Sequence, residues 1–167
     1  MRISAFLNLS RLDASELHIN REKFDISKLL LDTVEDMSLI TYTHRITLQP
    51  CDSIMISGDQ EKIGYVLNNL ISNACKYSQV GTEVNLCCEA GTNQVTVSIT
   101  DEGMGIKEED LSHLFKRYYR VENSNTISGF GIGLYLCAEI LKRHQGKIWV
   151  ESEYGKGSTF YFSLPVA

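Results

Sequence analysis

Residues 63–99, with the sequence IGYVLNNLISNACKYSQVGTEVNLCCEAGTNQVTVSI, change from one hydrophobic period to another, and this change decides the fold. In the first half, apolar residues recur at helical spacing, which predicts a helix with one buried stripe. The stripe consists of Ile63, Val66, Leu67, Leu70, Ile71 and Ala74. From residue 84 onward, apolar and polar residues alternate in 84–88 and again in 95–99, which predicts strands with one covered face. A helix followed by half-buried strands indicates a helical layer on one side of a sheet.

The sequence before this stretch adds one helix and two short alternating segments. Residues 24–40, FDISKLLLDTVEDMSLI, carry apolar side chains at helical spacing, with Ser27 as the predicted N-cap. Alternating residues at 46–48 and 54–56 are separated by the turn-forming sequence PCDS, and we predict that they pair as a hairpin. Asp59 is then placed to cap the helix that contains the buried stripe.

The sequence after the stretch adds a third helix, from about 131 to 144 and ended by Gly146, and a closing hairpin over 148–150 and 160–164. The whole pattern predicts an α/β fold of the two-layer α/β sandwich type. A mixed, mostly antiparallel sheet of about five strands would carry three main helices on one face. A Rossmann arrangement is disfavoured because the connections are hairpins and not parallel crossovers.

Length and composition exclude several classes of protein. A chain of 167 residues predicts one compact domain with appendages. No apolar run approaches the roughly 20 residues that span a bilayer, and the first residues lack the features of a secretory signal, so we expect no direct membrane contact. A net charge of -5 argues against nucleic acid as a partner.

The five cysteines indicate the compartment. They form no CxxC pair and lie mostly in apolar segments, which fits a reducing cytoplasm better than a disulfide framework. Cys87 and Cys88 are adjacent on a predicted strand and must point to opposite faces, which argues against a shared metal.

Residues 1–18 predict a helix whose apolar side chains lie on two sides. Such a helix needs two packing partners, so one hypothesis is that the chain is a piece of a longer protein in which this helix belongs to a bundle. The alternative is a terminal helix that frays or folds against its own domain.

Four polar residues share one face of the second helix: Asn69, Asn73, Lys76 and Tyr77. Amide oxygens suit Mg²⁺, an ammonium complements phosphate oxygens, and a tyrosine ring stacks on a flat base, so together these groups describe a nucleoside triphosphate site. The same residues also fit an ordinary solvated helix face.

The sequence DEGMGI, residues 101–106, follows a predicted strand and places Asp101 at its end. Gly103 and Gly105 permit close approach of the backbone to a ligand. A carboxylate accepts a hydrogen bond from the amino group of adenine but repels the O6 atom of guanine. Simple turn chemistry is the alternative reading of this sequence.

The sequence GFGIGL, residues 129–134, opens the third helix, where free backbone N–H groups form a phosphate cradle. A flexible hinge is the alternative. Because no strand directly precedes it and no P-loop lysine follows it, the dinucleotide and Walker motifs are excluded.

The ordered motifs NLISNACKYS, DEGMGI, LFKRYYRV, GFGIGL and GKGSTFYFSLP resemble the catalytic, ATP-binding domain of sensor histidine kinases, in the gyrase and heat-shock chaperone ATPase superfamily. The resemblance covers about residues 25–165. It implies that residues 1–22 are the end of a dimerisation helix with its linker and that residues 23–167 form the catalytic domain.

The resemblance also implies roles for individual residues, with ATP and Mg²⁺ as ligands. Asn73 would coordinate Mg²⁺ with help from Asn69, and Asp101 would bind the adenine amino group. Lys76 would contact phosphates and Tyr77 would flank the adenine. Gly103, Gly105 and Ile106 would shape the pocket, and Thr159 would line the part that holds the adenine base. The phosphates would be surrounded by Gly129, Gly131, Gly133 and Leu134. Phe115 and Arg117 would belong to a phenylalanine-containing box. Arg117 or Arg120 would lie near the γ-phosphate, within or beside a mobile lid over about 117–129.

Two departures from the family pattern, Tyr118 and Phe130, remove no polar ligand. The four histidines, His18, His44, His113 and His144, have no HExxxP-like context, so we expect the phosphoacceptor histidine on a separate helical domain. The implied partners are that domain and the receiver domain of a response regulator. The chain itself would be a monomer or weak dimer, in the cytoplasm or the cytoplasmic part of a membrane-bound receptor.

Three competing functions are an ATP hydrolase of the chaperone or DNA-repair branch, an anti-sigma-type serine kinase, and a nucleotide-binding docking module that transfers no phosphate. The hydrolase branch is disfavoured because its glutamate general base is replaced by Asn69, and an amide takes no proton from water. The predicted dimerisation helix disfavours the serine kinase.

Overall fold

A computed structural model of the chain describes residues 17–121 and 132–167. The predicted N-terminal helix therefore lies largely outside the described residues, as does most of the predicted lid. The elements, in chain order, are β1 (Glu22–Asp25), α1 (Ile26–Ile40), β2 (Arg45–Leu48), β3 (Met55–Gly58), α2 (Gln60–Lys76), β4 (Glu83–Ala90), β5 (Gln94–Asp101), α3 (Glu108–Leu111), α4 (Gly133–Arg143), β6 (Lys147–Glu153) and β7 (Gly157–Pro165). None of these helices has the length and apolar character needed to cross a membrane.

Five strands form the main sheet in the order β2-β4-β5-β7-β6. The β2–β4 pair is parallel and the other three pairs are antiparallel. Helix α2 packs against α1, α4 and the strands β4 and β5, so the long helices form the second layer. The predicted two-layer sandwich with a mixed, mostly antiparallel sheet is confirmed.

Helix α2 forms as its sequence predicts. The Asp59 carboxylate caps it by accepting a hydrogen bond from the Lys62 N–H at 3.1 Å. The predicted apolar stripe is buried along its whole length, from Ile63 to Ala74. The polar face of the helix is thereby directed away from the core.

Side chains alternate between two faces of the sheet, which we call the core face and the outer face. The core face carries Val84 and Leu86 of β4, Val97 and Ile99 of β5, and Phe162 of β7, all of them buried. The strand pairs put these residues opposite one another, since Leu86 lies across from Ile99 and Val97 lies across from Phe162. The parity of a residue in each strand therefore decides whether it faces the helices or solvent.

The predicted hairpin between 46–48 and 54–56 is wrong. Strand β2 pairs in parallel with β4, whereas β3 pairs antiparallel with β1 in a separate two-stranded sheet. The Asp25 carboxylate explains the difference, because it accepts hydrogen bonds from the Ser53 hydroxyl at 2.6 Å and the Ile54 N–H at 3.2 Å. These bonds hold the start of β3 beside β1 and away from β2.

The predicted N-cap of α1 also needs correction. Asp25 is the capping residue, and its carboxylate accepts hydrogen bonds from both the N–H and the hydroxyl of Ser27. Ser27 lies in the first turn of the helix. The single carboxylate thus ends one strand, begins one helix and fixes the path of a distant loop.

Asp25→Ala should lower the free energy of unfolding by about 1–2 kcal/mol, the usual range for a lost N-cap. Hydrogen bonds from the Ser27 and Ser53 hydroxyls lower the pKa of Asp25 to about 2, from 3.8 in the unfolded chain. Its stabilising contribution is therefore present above pH 3.8 and is lost as the pH falls towards 2. Urea denaturation across this range should show the two proteins converging in acid. Asp32→Ala, an exposed change in the same helix, is the control, and an equal loss of stability in that variant would contradict the capping role.

The segment before β1, residues 17–21, is anchored to the beginning of α2 and the end of α4. Leu17 is buried, and the Asn20 N–H donates to the Asp59 carboxylate at 3.0 Å. Arg21 donates to the Arg143 carbonyl, and the Arg143 guanidinium donates to the Leu17 carbonyl, both at 2.9 Å. Residues 17–21 are therefore tied to the domain by both packing and hydrogen bonds.

His144 lies buried at the same junction. Its Nδ1 atom donates to the Ile140 carbonyl at 2.7 Å, so Nε2 is free to accept the Asp59 N–H at 2.9 Å. Burial lowers the pKa of His144, which keeps the ring neutral as this pairing requires. His144 is a structural group that joins α4 to the beginning of α2.

Candidate functional site

Two amide side chains lie one turn apart on the polar side of α2. The Asn73 side-chain N–H₂ donates to the side-chain amide oxygen of Asn69, Oδ1, at 3.4 Å. Both residues are half-buried. The start of α4 contacts this pair, because a Cβ atom on Gly133 would lie only 2.4 Å from the Asn69 amide nitrogen. A larger residue at 133 would have to displace the Asn69 side chain, so glycine allows the beginning of α4 to lie against Asn69.

The first turn of α4 has backbone N–H groups that no side chain at its N-cap position satisfies. Ile132, at the N-cap position, provides no side-chain hydrogen bond to them. Such N–H groups, together with the helix dipole, attract anions such as phosphate. Leu134 is half-buried beside this turn, whereas Gly129 and Gly131 lie outside the described residues.

Asp101 is a buried carboxylate at the end of β5. It is 6% exposed, and it accepts hydrogen bonds from the Gly103 N–H at 2.8 Å and from the Ser158 N–H. Loss of solvent raises the pKa of Asp101, although these two hydrogen bonds oppose the shift. The carboxylate is therefore held in one orientation, with acceptor capacity left for a ligand donor.

The loop after Asp101 connects the site to the end of α2. The Met104 N–H donates to the Tyr77 carbonyl at 3.2 Å, and a Cβ atom on Gly103 would lie 2.4 Å from that same oxygen. Tyr77 is half-buried, and Lys76 is exposed in the last turn of the helix. The asparagine pair and Asp101 are thus both connected to the second half of α2.

The same loop is fixed on its other side by β6. Gly105 adopts a positive φ of 71°, and a Cβ atom there would lie 2.2 Å from the Glu153 carbonyl. The Ile106 N–H donates to the Ser152 hydroxyl at 2.7 Å. Gly103, Gly105 and Ile106 therefore bridge α2 and the sheet, as a pocket wall requires.

Thr159 does not share the core face with Asp101, and its role in lining the base pocket stays a prediction. Its hydroxyl lies 3.0 Å from the exposed Thr100 hydroxyl on the outer face. It lines a cavity of about 390 Å³ at the end of β5, and Asp101 and Ser158 line the same cavity. The alternation of β7 explains the difference, since Phe160 and Phe162 point inward and residue 159 must point outward.

Ser158, which the sequence analysis did not single out, does share the core face with Asp101. It is 7% exposed, lies directly opposite Asp101 in the β5–β7 pair, and donates its N–H to that carboxylate. Its hydroxyl is 2.8 Å from the Ser152 hydroxyl, which also receives the Ile106 N–H. Counting back in steps of two from Phe160 would have identified Ser158 from the sequence.

We expect Ser158→Val to weaken ATP binding by about tenfold, because the larger apolar side chain replaces a buried hydroxyl next to the Asp101 carboxylate. Thr159→Val, the matched change on the outer face, should leave the affinity within about twofold. Fluorescence titration with a nucleotide analogue measures both. A larger loss of affinity for Thr159→Val than for Ser158→Val would contradict the expectation that Ser158 lies beside the bound nucleotide.

The segment after α3 lies along β7 and α4. The Phe115 ring packs edge-on against Phe160, with ring centres 6.4 Å apart. The guanidinium carbon of the exposed Arg117 lies 5.8 Å from the ring centre of Tyr135 on α4. The structure thereby brings Phe115 and Arg117 to the side of the site that α4 forms, while Arg120 is half-buried nearby in sequence.

The donor set fits magnesium and few other metals. Residues 17–121 and 132–167 contain no cluster of three or more His, Cys, Asp or Glu side chains that could enclose an ion. Two amide oxygens on one helix face supply part of an oxygen shell, which suits Mg²⁺ because this ion usually keeps several waters and takes the remaining ligands from substrate phosphates. The asparagine pair therefore fits Mg²⁺ that arrives with a nucleotide.

Residues 58–167 match a family described as "Histidine kinase-, DNA gyrase B-, and HSP90-like ATPase". Among curated relatives, the adaptive-response sensory kinase SasA of Thermosynechococcus vestitus is 38% identical over 98% of this chain and 44% of its own length. Sensor protein SrrB of Staphylococcus aureus is 35% identical over 98% of this chain and 29% of its own length. The chain thus spans less than half the length of these relatives.

Solved structures share the fold. The mycobacterial sensor histidine kinase MprB superposes with a TM-score of 0.77 over 88% of this chain and 98% of the other, at 21% identity. The ATP-binding domain of PrrB from Mycobacterium tuberculosis gives 0.73 over 88% and 98%, at 25% identity. Both superpositions cover nearly all of the other chain, so the similarity extends through the whole α/β sandwich.

Proposed function

The chain belongs to the histidine kinase-, DNA gyrase B- and HSP90-like ATPase family, as a histidine-kinase ATP-binding catalytic domain, and from this we propose that it binds Mg·ATP and transfers the γ-phosphoryl group to a protein histidine. The observation that carries the proposal is the convergence on α2. The start of α4 contacts Asn69 of this helix, and the loop after Asp101 contacts Tyr77 at its end. One helix therefore presents groups for phosphates and for a base.

Asp101 selects the adenine. Its carboxylate, oriented by the Gly103 and Ser158 N–H groups, accepts the amino group of the base. A hydrogen bond to a charged acceptor contributes about 1.5–3 kcal/mol, and guanine would place an oxygen against the same group. Tyr77 and Ile106 border the base, and the 103–106 loop closes that end of the pocket.

Asn73 and Asn69 would hold Mg²⁺ through their amide oxygens. When bound, the ion would neutralise charge on the phosphates. Lys76 adds a positive charge at the exposed end of α2. The first-turn N–H groups of α4, from Gly133 onward, donate hydrogen bonds to the remaining phosphate oxygens. Gly129 and Gly131 continue this cradle in the proposed scheme.

Arg117 or Arg120 stabilises charge on the γ-phosphoryl group during transfer. The acceptor is a histidine on a separate helical domain, and the phosphoryl group then passes to an aspartate of a response regulator. Residues 1–22 belong to the end of that helical domain and its linker, and the linker residues 17–21 are anchored on the catalytic domain. Such a chain acts in the cytoplasm, as a monomer or weak dimer.

The test combines the purified chain, Mg²⁺, γ-labelled ATP and the helical domain of the longer protein. Label should appear on that domain as an acid-labile, base-stable phosphohistidine. A helical domain whose histidine is changed to glutamine is the control and should remain unlabelled. If the chain binds ATP but transfers no label, it is a nucleotide-binding docking module. Rapid release of inorganic phosphate in the absence of the helical domain would indicate a hydrolase.

A further inference from the structure

Two thiols lie side by side at the edge of the sheet where β2 ends. The parallel β2–β4 register pairs Leu48 with Leu86, and the Gln49 N–H extends the pairing by donating to the Leu86 carbonyl at 2.9 Å. The chain after Gln49 therefore continues alongside β4 and brings Cys51 to Cys88. The two thiols lie close enough for each to influence the pKa of the other.

The thiol pair is accessible from one side. Cys88 is buried on the core face, but Cys51 is half-buried, and both line a surface cavity of about 230 Å³ with Pro50, Asp52, Ile54 and Ala90. A cavity of this size admits a peroxide or a small disulfide molecule. The exposed member of the pair is the one that such a reagent meets first.

The other cysteines lack this arrangement. Cys87 is adjacent in sequence but points to the outer face, Cys137 is fully buried in α4, and Cys75 lies on α2 near the Asp101 carboxylate. All five thiols are free in the structure. Cys51 and Cys88 are the two cysteines that line the cavity of about 230 Å³.

We propose that Cys51 and Cys88 form a reversible disulfide when the chain meets a peroxide. The Cys51 thiolate attacks one peroxide oxygen and becomes a sulfenic acid, and the second oxygen leaves as water after protonation. The Cys88 sulfur then attacks the Cys51 sulfur, and the hydroxyl leaves as a second water. In total, two thiols lose two electrons and two protons to one peroxide, and a dithiol reductant reverses the change by exchange.

The surroundings determine the rate and the stability of this bond. Burial raises the pKa of both thiols, that of Cys88 to about 12, and the nearby Asp25 carboxylate adds to the shift. Few thiolates exist at neutral pH, so oxidation is slow and accelerates with rising pH. Because the surroundings stabilise neither thiolate, they do not stabilise the reduced form relative to the disulfide. The disulfide therefore resists reduction once it is formed.

The bond would enclose the part of the chain that carries the proposed metal ligands. The closed loop, residues 51–88, contains β3 and all of α2. Fixing a loop of this length restricts the unfolded chain, and it should raise the melting temperature by about 10 °C. This inference concerns the opposite end of β4 from Asp101 and does not depend on the proposed function.

The test treats the reduced, purified chain with hydrogen peroxide at about pH 8, where more thiolate is present, and then alkylates it under denaturing conditions. Two of the five thiols should escape alkylation, and digestion should yield one linked peptide pair that contains Cys51 and Cys88. The melting temperature should rise, and a dithiol should restore it.

Cys87→Ser is the matched control and should form the same disulfide with the same shift. Cys51→Ser should form none and should keep the melting temperature of the reduced protein. Five alkylated thiols after treatment, a bond to Cys87, or a bond between two chains would each overturn the proposal. Peptide mapping of the unmutated chain decides the matter even if a variant fails to fold.

Discussion

Asn73→Ala should weaken Mg·ATP binding by roughly 100-fold or more, because even outer-shell partners of metal ligands are worth about 10- to 100-fold. The Asn73 amide makes one long hydrogen bond to Asn69, at 3.4 Å, so its removal leaves the fold intact. Isothermal titration with and without Mg²⁺ measures the effect. The unmutated chain should bind ATP much more tightly with Mg²⁺, and this difference should disappear in the variant.

Asn68→Ala is the control for Asn73→Ala. It removes the same side chain from the same helix, but residue 68 points about 100° or more away from the Asn69–Asn73 face. Its affinity for Mg·ATP should stay close to that of the unmutated chain. Equal affinities in all three proteins would remove Asn73 from the site.

Asp101→Asn should reduce ATP affinity by about 10- to 150-fold, the equivalent of one hydrogen bond to a charged acceptor. The amide places a donor where the adenine amino group requires an acceptor, so the preference for ATP over GTP should also collapse. Competition of both nucleotides against a fluorescent analogue measures the two effects. Glu102→Gln, a change at the exposed neighbouring residue, should alter neither.

The stability of Asp101→Asn should move in the opposite direction from its affinity. Desolvation raises the pKa of Asp101 in the folded state. The stability that this group contributes is therefore complete below its unfolded pKa, 3.8, and is lost as the pH rises through the folded value. Relative to the unmutated chain, the variant should gain stability as the pH rises from 3.8 through the folded pKa of Asp101, and the difference should stay constant above it. If the free energy of unfolding changes with pH in the same way in both proteins, burial of the charged Asp101 carboxylate does not destabilise the fold.

Local chemistry was sufficient to predict the elements that position the site. The Asp59 cap, the buried stripe of α2 and the alternation of β4 and β5 depend on neighbours within one turn or one strand, and the structure confirms them. The predicted pairing of β2 with β3 failed because the competing contact is distant in sequence. The Asp25 carboxylate holds Ser53 and Ile54, and no short-range pattern reveals that interaction.

Within the site, the residue types were more predictable than their directions. The resemblance indicated Thr159 and did not consider Ser158, yet the inward direction of Phe160 and Phe162 already determines which residues of β7 face the core. The contact between Gly133 and Asn69 could not be read from the sequence, because it joins two helices that are separated in the chain by β4, β5 and α3. The approach of Cys51 to Cys88 similarly required the parallel register of β2 and β4.

A crystal structure of the chain with Mg²⁺ and a non-hydrolysable ATP analogue tests most directly whether the two halves of the site form one pocket. We expect the metal about 2.1 Å from the Asn73 amide oxygen. The adenine amino group should lie about 3 Å from the Asp101 carboxylate, within the same bound nucleotide. A nucleotide whose base lies away from Asp101, or whose metal is held without Asn73 and Asn69, would contradict this arrangement.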